Sequence, residues 1–108
     1  MKEISFQEFV ERRDDEDLRL IDVREEDEYA EVHVKGAELF PLSKIRRGEL
    51  PEEGKQTVAV ICRSGGRSAM ACKIFEKQGF DECINIDGGT LAAVDAGEDY
   101  VERGEGES

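Results

Sequence analysis

Long apolar runs are absent from this sequence, and the residues that mark secreted or metal-bound proteins are scarce. Its 108 residues include no tryptophan, two prolines, one histidine and three cysteines. No apolar stretch approaches the roughly 20 residues that a membrane span needs, and the N-terminus lacks a hydrophobic signal segment. An odd number of cysteines without a CxxC pair argues against a disulfide framework and a zinc site. We therefore expect a cytoplasmic protein without a bound metal or cofactor.

Basic residues are also few, with 15 lysines and arginines against 27 aspartates and glutamates and a formal net charge of -12. The phosphate backbone of nucleic acids and the surface of anionic membranes both attract basic proteins, so neither is expected as a partner. The acidic excess either keeps the protein soluble or adapts it to high salt, and the sequence leaves both alternatives open.

The size and the apolar content of the chain predict one small domain. Apolar residues make up 38% of the chain and charged residues 39%, so the core must draw on a few short apolar runs. We assign residues 1–101 to a single domain. We expect residues 102–108, which are acidic and spaced by glycine, to form a disordered tail, and we expect a monomer.

Strand-like and helix-like segments alternate along the chain. The clearest strand covers residues 57–61, which are mainly β-branched and uncharged. Further strands are predicted at 18–23, 36–40 and 83–86, and helices at 6–13, 25–31, 42–47, 68–78 and 90–96. The first helix follows a capping box of Ser5 and Glu8. This alternation indicates an α/β fold with a mainly parallel sheet, in which ligands bind at the carboxyl ends of the strands.

One segment between the best strand and the best helix carries the clearest chemical signal. It reads Cys62-Arg63-Ser64-Gly65-Gly66-Arg67-Ser68. Its glycines allow backbone N–H groups to converge beside a helix N-terminus, and such a nest binds anions. With Arg63 and Arg67 nearby, this field favours the thiolate of Cys62 and makes it a nucleophile near neutral pH. We interpret Cys72, on an inner helix face, and Cys83, at a strand start, as structural residues.

Four segments in this order resemble the single-domain rhodanese-like sulfurtransferases, over about residues 4–97. They are Leu20-Ile21-Asp22-Val23-Arg24, the stretch from Glu28 to Ala37, the Cys62 to Ser68 segment, and Asp87-Gly88-Gly89. The resemblance implies a five-stranded, mainly parallel sheet with helices on both faces. It also implies that Cys62 takes the outer sulfur of a donor such as thiosulfate as a persulfide. A thiol, cyanide or a protein acceptor would then remove that sulfur.

The resemblance also implies roles for the residues around Cys62. The sulfur-cradling loop would consist of Arg63, Ser64, Gly65, Gly66, Arg67 and Ser68. Asp22 and Arg24 would form a supporting ion pair, and His33 would be structural rather than catalytic. The sequence departs from the family pattern at Lys35, where a proline is usual, and at Ala93, where an aromatic residue is usual. The second change predicts altered packing beside the last helix.

Two other functions remain open at the level of the sequence. A cysteine-dependent phosphatase or arsenate reductase combines a similar cysteine, N–H nest and arginine, but its pattern places five residues between cysteine and arginine. Here only four lie between Cys62 and Arg67, a spacing that suits a single sulfur better than a tetrahedral oxyanion. The other alternative is a binding module or a sulfur relay that serves one protein partner, since the choice of acceptor depends on the surface around the loop.

Overall fold

Strands and helices alternate along the chain in the computed structural model, which describes residues 1–52, 57–80 and 82–104. The strands are β1 (Lys2–Ser5), β2 (Leu18–Asp22), β3 (Val32–Val34), β4 (Glu38–Leu39), β5 (Thr57–Ile61), β6 (Cys83–Asp87) and β7 (Val101–Arg103). The helices are α1 (Phe6–Asp15), α2 (Glu26–Glu31), α3 (Leu42–Arg46), α4 (Gly66–Lys77) and α5 (Gly89–Ala96), and a 3-10 turn covers Glu98–Tyr100.

The main sheet has five strands in the order β1-β6-β5-β2-β4, and every neighbouring pair is parallel. Parallel sheets bury both faces under helices, so their strands are apolar on both sides. Strand β5 follows this rule: Ala59 and Ile61 belong to one buried cluster, and Val58 and Val60 belong to the other. This arrangement confirms the α/β fold with a five-stranded sheet that the sequence predicts.

Helices cover both faces of the sheet. On one face the buried cluster includes Phe9 of α1 and Ala93 of α5, and on the other it includes Ile45 of α3 and Phe75 of α4. Helix α1 begins where predicted, because the Ser5 hydroxyl accepts a hydrogen bond from the Glu8 N–H at 3.1 Å. Within the described residues, no helix is long and apolar enough to cross a membrane.

Three strands differ from the sequence prediction. The sequence did not predict β1, which pairs with β6 at the edge of the main sheet, or β3 and β7, which form a separate antiparallel pair. Glu102 and Arg103, which the sequence assigned to the tail, lie in β7 opposite His33 and Val32. The backbone pairing of β3 therefore orders these two residues. Residues 105–108 of the predicted tail and residues 53–56 of the predicted loop lie outside the described residues.

Candidate active site

Cys62 lies at the carboxyl end of β5, where the chain leaves the centre of the sheet and turns into α4. The turn is tight because Gly65 adopts a φ of +120°, a conformation that side chains with a Cβ rarely take. Gly65 is also the residue that precedes α4, so the N–H groups of the first helical turn face the loop. The cysteine is 1% exposed. The sulfur therefore lies between the sheet and the positive end of a helix.

The Cys62 sulfur accepts hydrogen bonds from the loop that follows it. The Gly65 N–H donates to Sγ at 3.1 Å, and the Ser68 hydroxyl lies 3.4 Å from Sγ. Burial raises the pKa of the Cys62 thiol, but hydrogen bonds from the Ser68 hydroxyl and from the N–H groups of Ser68, Gly65 and Ser64 outweigh it, so the pKa falls below its ordinary value. The Gly65 N–H and the Ser68 hydroxyl thus converge on the Cys62 sulfur.

A buried polar network continues from Ser68 into the sheet. The Ser68 hydroxyl is hydrogen-bonded to Oδ1 of Asn85, a residue of β6 that is 1% exposed. The Asn85 amide donates to the Glu3 carboxylate at 2.9 Å and to the Gly65 carbonyl at 3.3 Å. Every polar atom of the Asn85 side chain thus has a partner, as burial requires. The network fixes both groups that touch the sulfur, Ser68 and Gly65.

The start of α5 supports the loop from the opposite side. Backbone N–H groups at this helix start, and that of Gly88 just before it, donate to loop carbonyls: Thr90 to Cys62 at 2.8 Å, Leu91 to Arg63 at 3.1 Å, and Gly88 to Ser64 at 3.2 Å. The Thr90 hydroxyl adds a second bond to the Cys62 carbonyl at 3.0 Å. Because the loop carbonyls are bound on this side, the loop N–H groups are left to face the sulfur.

The two arginines of the loop occupy different environments. The side chain of Arg63 is exposed and makes no hydrogen bond or ion pair with the described residues. Arg67 instead forms a two-pronged ion pair with Glu28 of α2, with nitrogen–oxygen distances of 2.8 and 2.9 Å. This pair lowers the pKa of Glu28 to about 2. The structure therefore connects Arg67 to a neighbouring helix.

The predicted pairing of Asp22 and Arg24 is present at the end of β2. The Arg24 guanidinium donates to both Asp22 oxygens, the closest at 2.8 Å, and to the Val32 carbonyl at 2.6 Å. The Asp22 side chain is fully buried and the Arg24 side chain is 5% exposed. A buried pair of this kind orients the backbone around it, since both charges need every available partner. It lies at the same sheet edge as Cys62 because β2 and β5 are parallel neighbours.

His33 lies in the small β3–β7 sheet rather than in the loop around Cys62. Its Nδ1 lies 2.8 Å from the Tyr29 carbonyl, its Nε2 lies 3.2 Å from the Glu102 carboxylate, and its ring stacks on Tyr29 with centroids 3.7 Å apart. These contacts fit the structural role that the resemblance implies.

The other two cysteines contact each other inside the core. Both Cys72 and Cys83 are fully buried. A hydrogen bond to Cys83, together with burial, raises the pKa of Cys72 far above its ordinary value. Cys72 is therefore a protonated, unreactive thiol at neutral pH.

The two departures from the family pattern have clear structural settings. The N–H of Lys35 donates to the Tyr100 carbonyl at 3.0 Å, a bond that a proline at this position could not make. Ala93 is fully buried in the cluster that includes Phe6 and Phe9. The neighbouring side chains therefore close around an alanine.

Three residues of the site were not identified from the sequence: Glu28, Asn85 and Thr90. Asn85 carried the clearest available signal, because it is a polar residue inside the apolar strand of residues 83–86. Glu28 is separated from Arg67 by 39 positions, so no local pattern joins them. Among the described residues, no cluster of His, Cys, Asp and Glu could hold a metal ion.

Comparison with known proteins identifies the family. The family model for the rhodanese-like domain matches residues 5–96 of the sequence, most of the chain. The chain belongs to this family. The thiosulfate sulfurtransferase GlpE of Pseudoalteromonas translucida is 30% identical to this rhodanese-like chain over 102 residues, which cover 94% of the chain and 97% of GlpE. The name of GlpE shows that the family includes sulfurtransferases.

A solved structure and a longer relative extend the comparison. A rhodanese-like domain protein from Staphylococcus aureus superposes with a TM-score of 0.75 at 26% identity, covering 85% of this chain and 90% of that one. YrkF of Bacillus subtilis, which has a provisional sulfur-carrier name, is 41% identical over 87 residues, or 78% of this chain. The chain spans only 46% of the length of YrkF and 20% of the length of MoeZ from Mycobacterium tuberculosis. The same domain therefore also occurs as part of larger proteins.

Proposed function

We propose that this chain is a sulfurtransferase in which Cys62 carries a sulfane sulfur between a donor and an acceptor. The Cys62 thiolate attacks the outer sulfur of a donor such as thiosulfate. A bond forms between the two sulfurs, the donor's own sulfur–sulfur bond breaks, and its electron pair leaves with sulfite. An acceptor thiolate, cyanide or a protein then attacks the outer sulfur of the persulfide and regenerates the Cys62 thiolate.

The observation that carries this proposal is the set of hydrogen bonds to the Cys62 sulfur. The Gly65 N–H at 3.1 Å and the Ser68 hydroxyl at 3.4 Å stabilise negative charge on Sγ, which is what a nucleophile and a leaving thiolate both require. The N–H groups of the same loop are available to a second sulfur bound to the first. Thiolate exchange at sulfur needs neither a metal nor a general base once the thiolate is formed.

Transfer to a dedicated protein acceptor is a narrower form of the same proposal. The provisional sulfur-carrier name of YrkF favours it, and so does the exposure of Arg63 and Ser64 at the rim of the loop. We propose a monomeric domain of residues 1–101, with Glu102 and Arg103 added by β7. A reducing compartment such as the cytoplasm suits this chemistry, because thiols stay free there.

The first test is intact-protein mass spectrometry after incubation with thiosulfate, before and after addition of cyanide. The wild type should gain the mass of one sulfur atom and lose it again with cyanide. Cys62→Ser should gain nothing, while its melting temperature should stay near that of the wild type.

Cys72→Ser is the matched control, because Cys72 is a second buried cysteine that the mechanism does not use. It should take up and release sulfur like the wild type. Sulfur uptake by Cys62→Ser would contradict the mechanism. If thiosulfate leaves no adduct on the wild type, two further assays separate the remaining alternatives. A sulfur relay should take up sulfur from a protein persulfide, whereas a phosphatase should release phosphate from an aryl phosphate through Cys62.

A further inference from the structure

The ion pair between Arg67 and Glu28 places a carboxylate beside the loop that receives the donor. Each prong of the guanidinium meets one carboxylate oxygen, and Oε1 of Glu28 also accepts the Glu25 N–H at 3.2 Å. Arg67 directly precedes Ser68, whose hydroxyl lies 3.4 Å from the Cys62 sulfur, so this arginine belongs to the loop around the sulfur. Its hydrogen bond with Glu28 and the negative charges of Cys62 and Asp22 raise the pKa of Arg67. Glu28 is ionised at neutral pH, since its pKa lies at about 2.

Other carboxylates also lie near the arginines around the loop. Arg24 is paired with Asp22. The Asp87 carboxylate lies beside the loop, 3.6 Å from where a Cβ on Gly65 would lie. Arg63 carries an exposed side chain at the rim of the loop. The pairs hold Arg24 and Arg67, while the carboxylates of Asp87 and Glu3 also lie near the loop. The loop therefore has little excess positive charge with which to attract a dianion.

We propose that Glu28 determines donor specificity: by pairing with Arg67 it removes a cation from the loop and directs Cys62 toward sulfane-sulfur donors that carry at most one negative charge. This inference rests on the proposed function and narrows its donor class. Thiosulfate, with two negative charges, is then a slow donor for the wild type. An organic thiosulfonate or a persulfide sulfur is a faster one, because the cost of bringing negative charge to the loop scales with that charge.

The variant Glu28→Gln separates charge from structure. Glu28 occupies the third position of α2 and forms a capping box with Glu25, and glutamine serves equally well at this position. The substitution therefore keeps the shape and the helix cap and frees Arg67 from its negative partner. The matched control is Glu98→Gln, because Glu98 forms a two-pronged pair with Arg103 at 2.8 Å and changes the net charge by the same amount away from the loop.

The first readout does not depend on sulfur transfer. Cys62 is alkylated with iodoacetate, an anion, and with iodoacetamide, its neutral analogue. The alkylation ratio, which is the rate with iodoacetate divided by the rate with iodoacetamide, is compared between variants. The ratio cancels changes in the amount of thiolate and reports the charge around the sulfur. Glu28→Gln should raise the ratio about threefold at low salt, and 0.5 M NaCl should remove most of the rise. Glu98→Gln should leave the ratio unchanged.

The second readout compares two donors that react in the same way, thiosulfate with two charges and methanethiosulfonate with one. In Glu28→Gln, kcat/KM with cyanide as acceptor should rise about tenfold for thiosulfate and about threefold for methanethiosulfonate, because the effect scales with donor charge. Glu28→Asp, which retains the charge, should keep the wild-type preference. The double variant with Arg67→Gln, which removes both charges, should return the alkylation ratio to the wild-type value.

The two proposals fail in different ways. If no donor leaves a sulfur on the wild type, the proposed function fails, and the alkylation ratio still decides whether Glu28 controls the charge at Cys62. An unchanged ratio in Glu28→Gln, or an equal rise in Glu98→Gln, overturns the inference about Glu28. Circular dichroism shows whether Glu28→Gln folds. If it does not, the double variant of Glu28→Gln and Arg67→Gln is the test, and an alkylation ratio that differs from the wild-type value rejects the inference about Glu28.

Discussion

Ser68 has one hydroxyl proton and three acceptors within reach. The cysteine sulfur lies 3.4 Å away, the Gly65 carbonyl lies 3.1 Å away, and Oδ1 of Asn85 is the closest of the three. A hydroxyl donates one hydrogen bond at a time, so stabilising the Cys62 thiolate takes the proton away from the amide oxygen. The reactivity of Cys62 therefore depends on a residue six positions further along the chain.

Removing this hydroxyl should raise the pKa of Cys62, because a hydrogen bond to the charged form is lost while burial stays the same. We expect Ser68→Ala to shift the pH profile of alkylation by iodoacetamide to higher pH and to slow the reaction at pH 7 by about tenfold. The loss of a partner for the buried Asn85 should cost about 1–3 kcal/mol in the free energy of unfolding. Stopped-flow alkylation between pH 5 and 10 and urea denaturation provide the two measurements.

Ser64→Ala is the matched control for this variant. The Ser64 side chain is exposed, and only the backbone of this residue stabilises the sulfur. Its pH profile should match that of the wild type. A profile for Ser68→Ala that also matches the wild type would show that the N–H groups alone set the pKa.

At the scale of the elements, helix α5 packs directly against the Cys62 loop and is hydrogen-bonded to it. Gly89, the first residue of α5, has a φ of +55°, and a Cβ there would lie 2.6 Å from the Arg63 carbonyl oxygen. No side chain fits that space without moving the loop. The close approach allows the N–H groups of Thr90 and Leu91 to reach the loop carbonyls.

Gly89→Ala should therefore weaken both the fold and the site. We expect a loss of at least ~2 kcal/mol in the free energy of unfolding, from the backbone conformation and the clash together. Alkylation of Cys62 should slow at pH 7 as the loop is displaced. Gly48→Ala is the comparison, since Gly48 has a φ of +95° and no atom within 4 Å of the added Cβ, so it should lose only about 1 kcal/mol and keep normal alkylation.

The alanine in place of the usual aromatic residue on α5 gives a second test at this scale. Ala93 is 0% exposed, so a larger side chain must displace its neighbours. Ala93→Trp should cost about 1–3 kcal/mol in the free energy of unfolding, measured by urea denaturation. Leu91 of the same helix is 47% exposed, so Leu91→Trp should change the free energy of unfolding by less than ~0.5 kcal/mol. A stabilised Ala93→Trp would reveal unfilled space beside α5.

The sequence predicts the elements that have a local pattern and misses those that depend on contacts between distant residues. Strand β5 and helix α4 carry local patterns of apolar residues, and the structure confirms both. Strand β1 has a single buried residue, Ile4, and forms only by pairing with β6 about 80 positions later. The Glu28–Arg67 pair likewise depends on the folded arrangement of α2 and the loop. Local pattern thus indicated the position of the proposed nucleophile, Cys62, whereas its hydrogen-bonding and ion-pair surroundings required the three-dimensional structure.

The whole molecule carries a formal net charge of -12 within a radius of gyration of 13.0 Å. Charges of one sign repel each other more in the folded state than in the expanded chain, and salt screens this repulsion. The exposed ion pairs Arg47–Glu49 and Arg103–Glu98 contribute little against it. Stability should therefore depend on ionic strength more than on any single surface pair.

We expect the melting temperature to rise by about 5 °C between 0.01 and 0.3 M NaCl, measured by differential scanning calorimetry at pH 7. A variant with Asp14→Lys and Asp95→Lys, both at exposed positions, should show a smaller rise because it starts with less repulsion. An equal rise in both proteins would point to a general effect of salt on apolar burial instead.

The bonds between α5 and the Cys62 loop also bear on how the protein is made. A ribosome completes residue 62 well before residues 88–91, whose N–H groups bind the loop carbonyls. Until those residues emerge, the loop lacks the three backbone hydrogen bonds that they donate. The hydrogen bonds that lower the pKa of Cys62 therefore reach their final arrangement only after most of the domain has been synthesised.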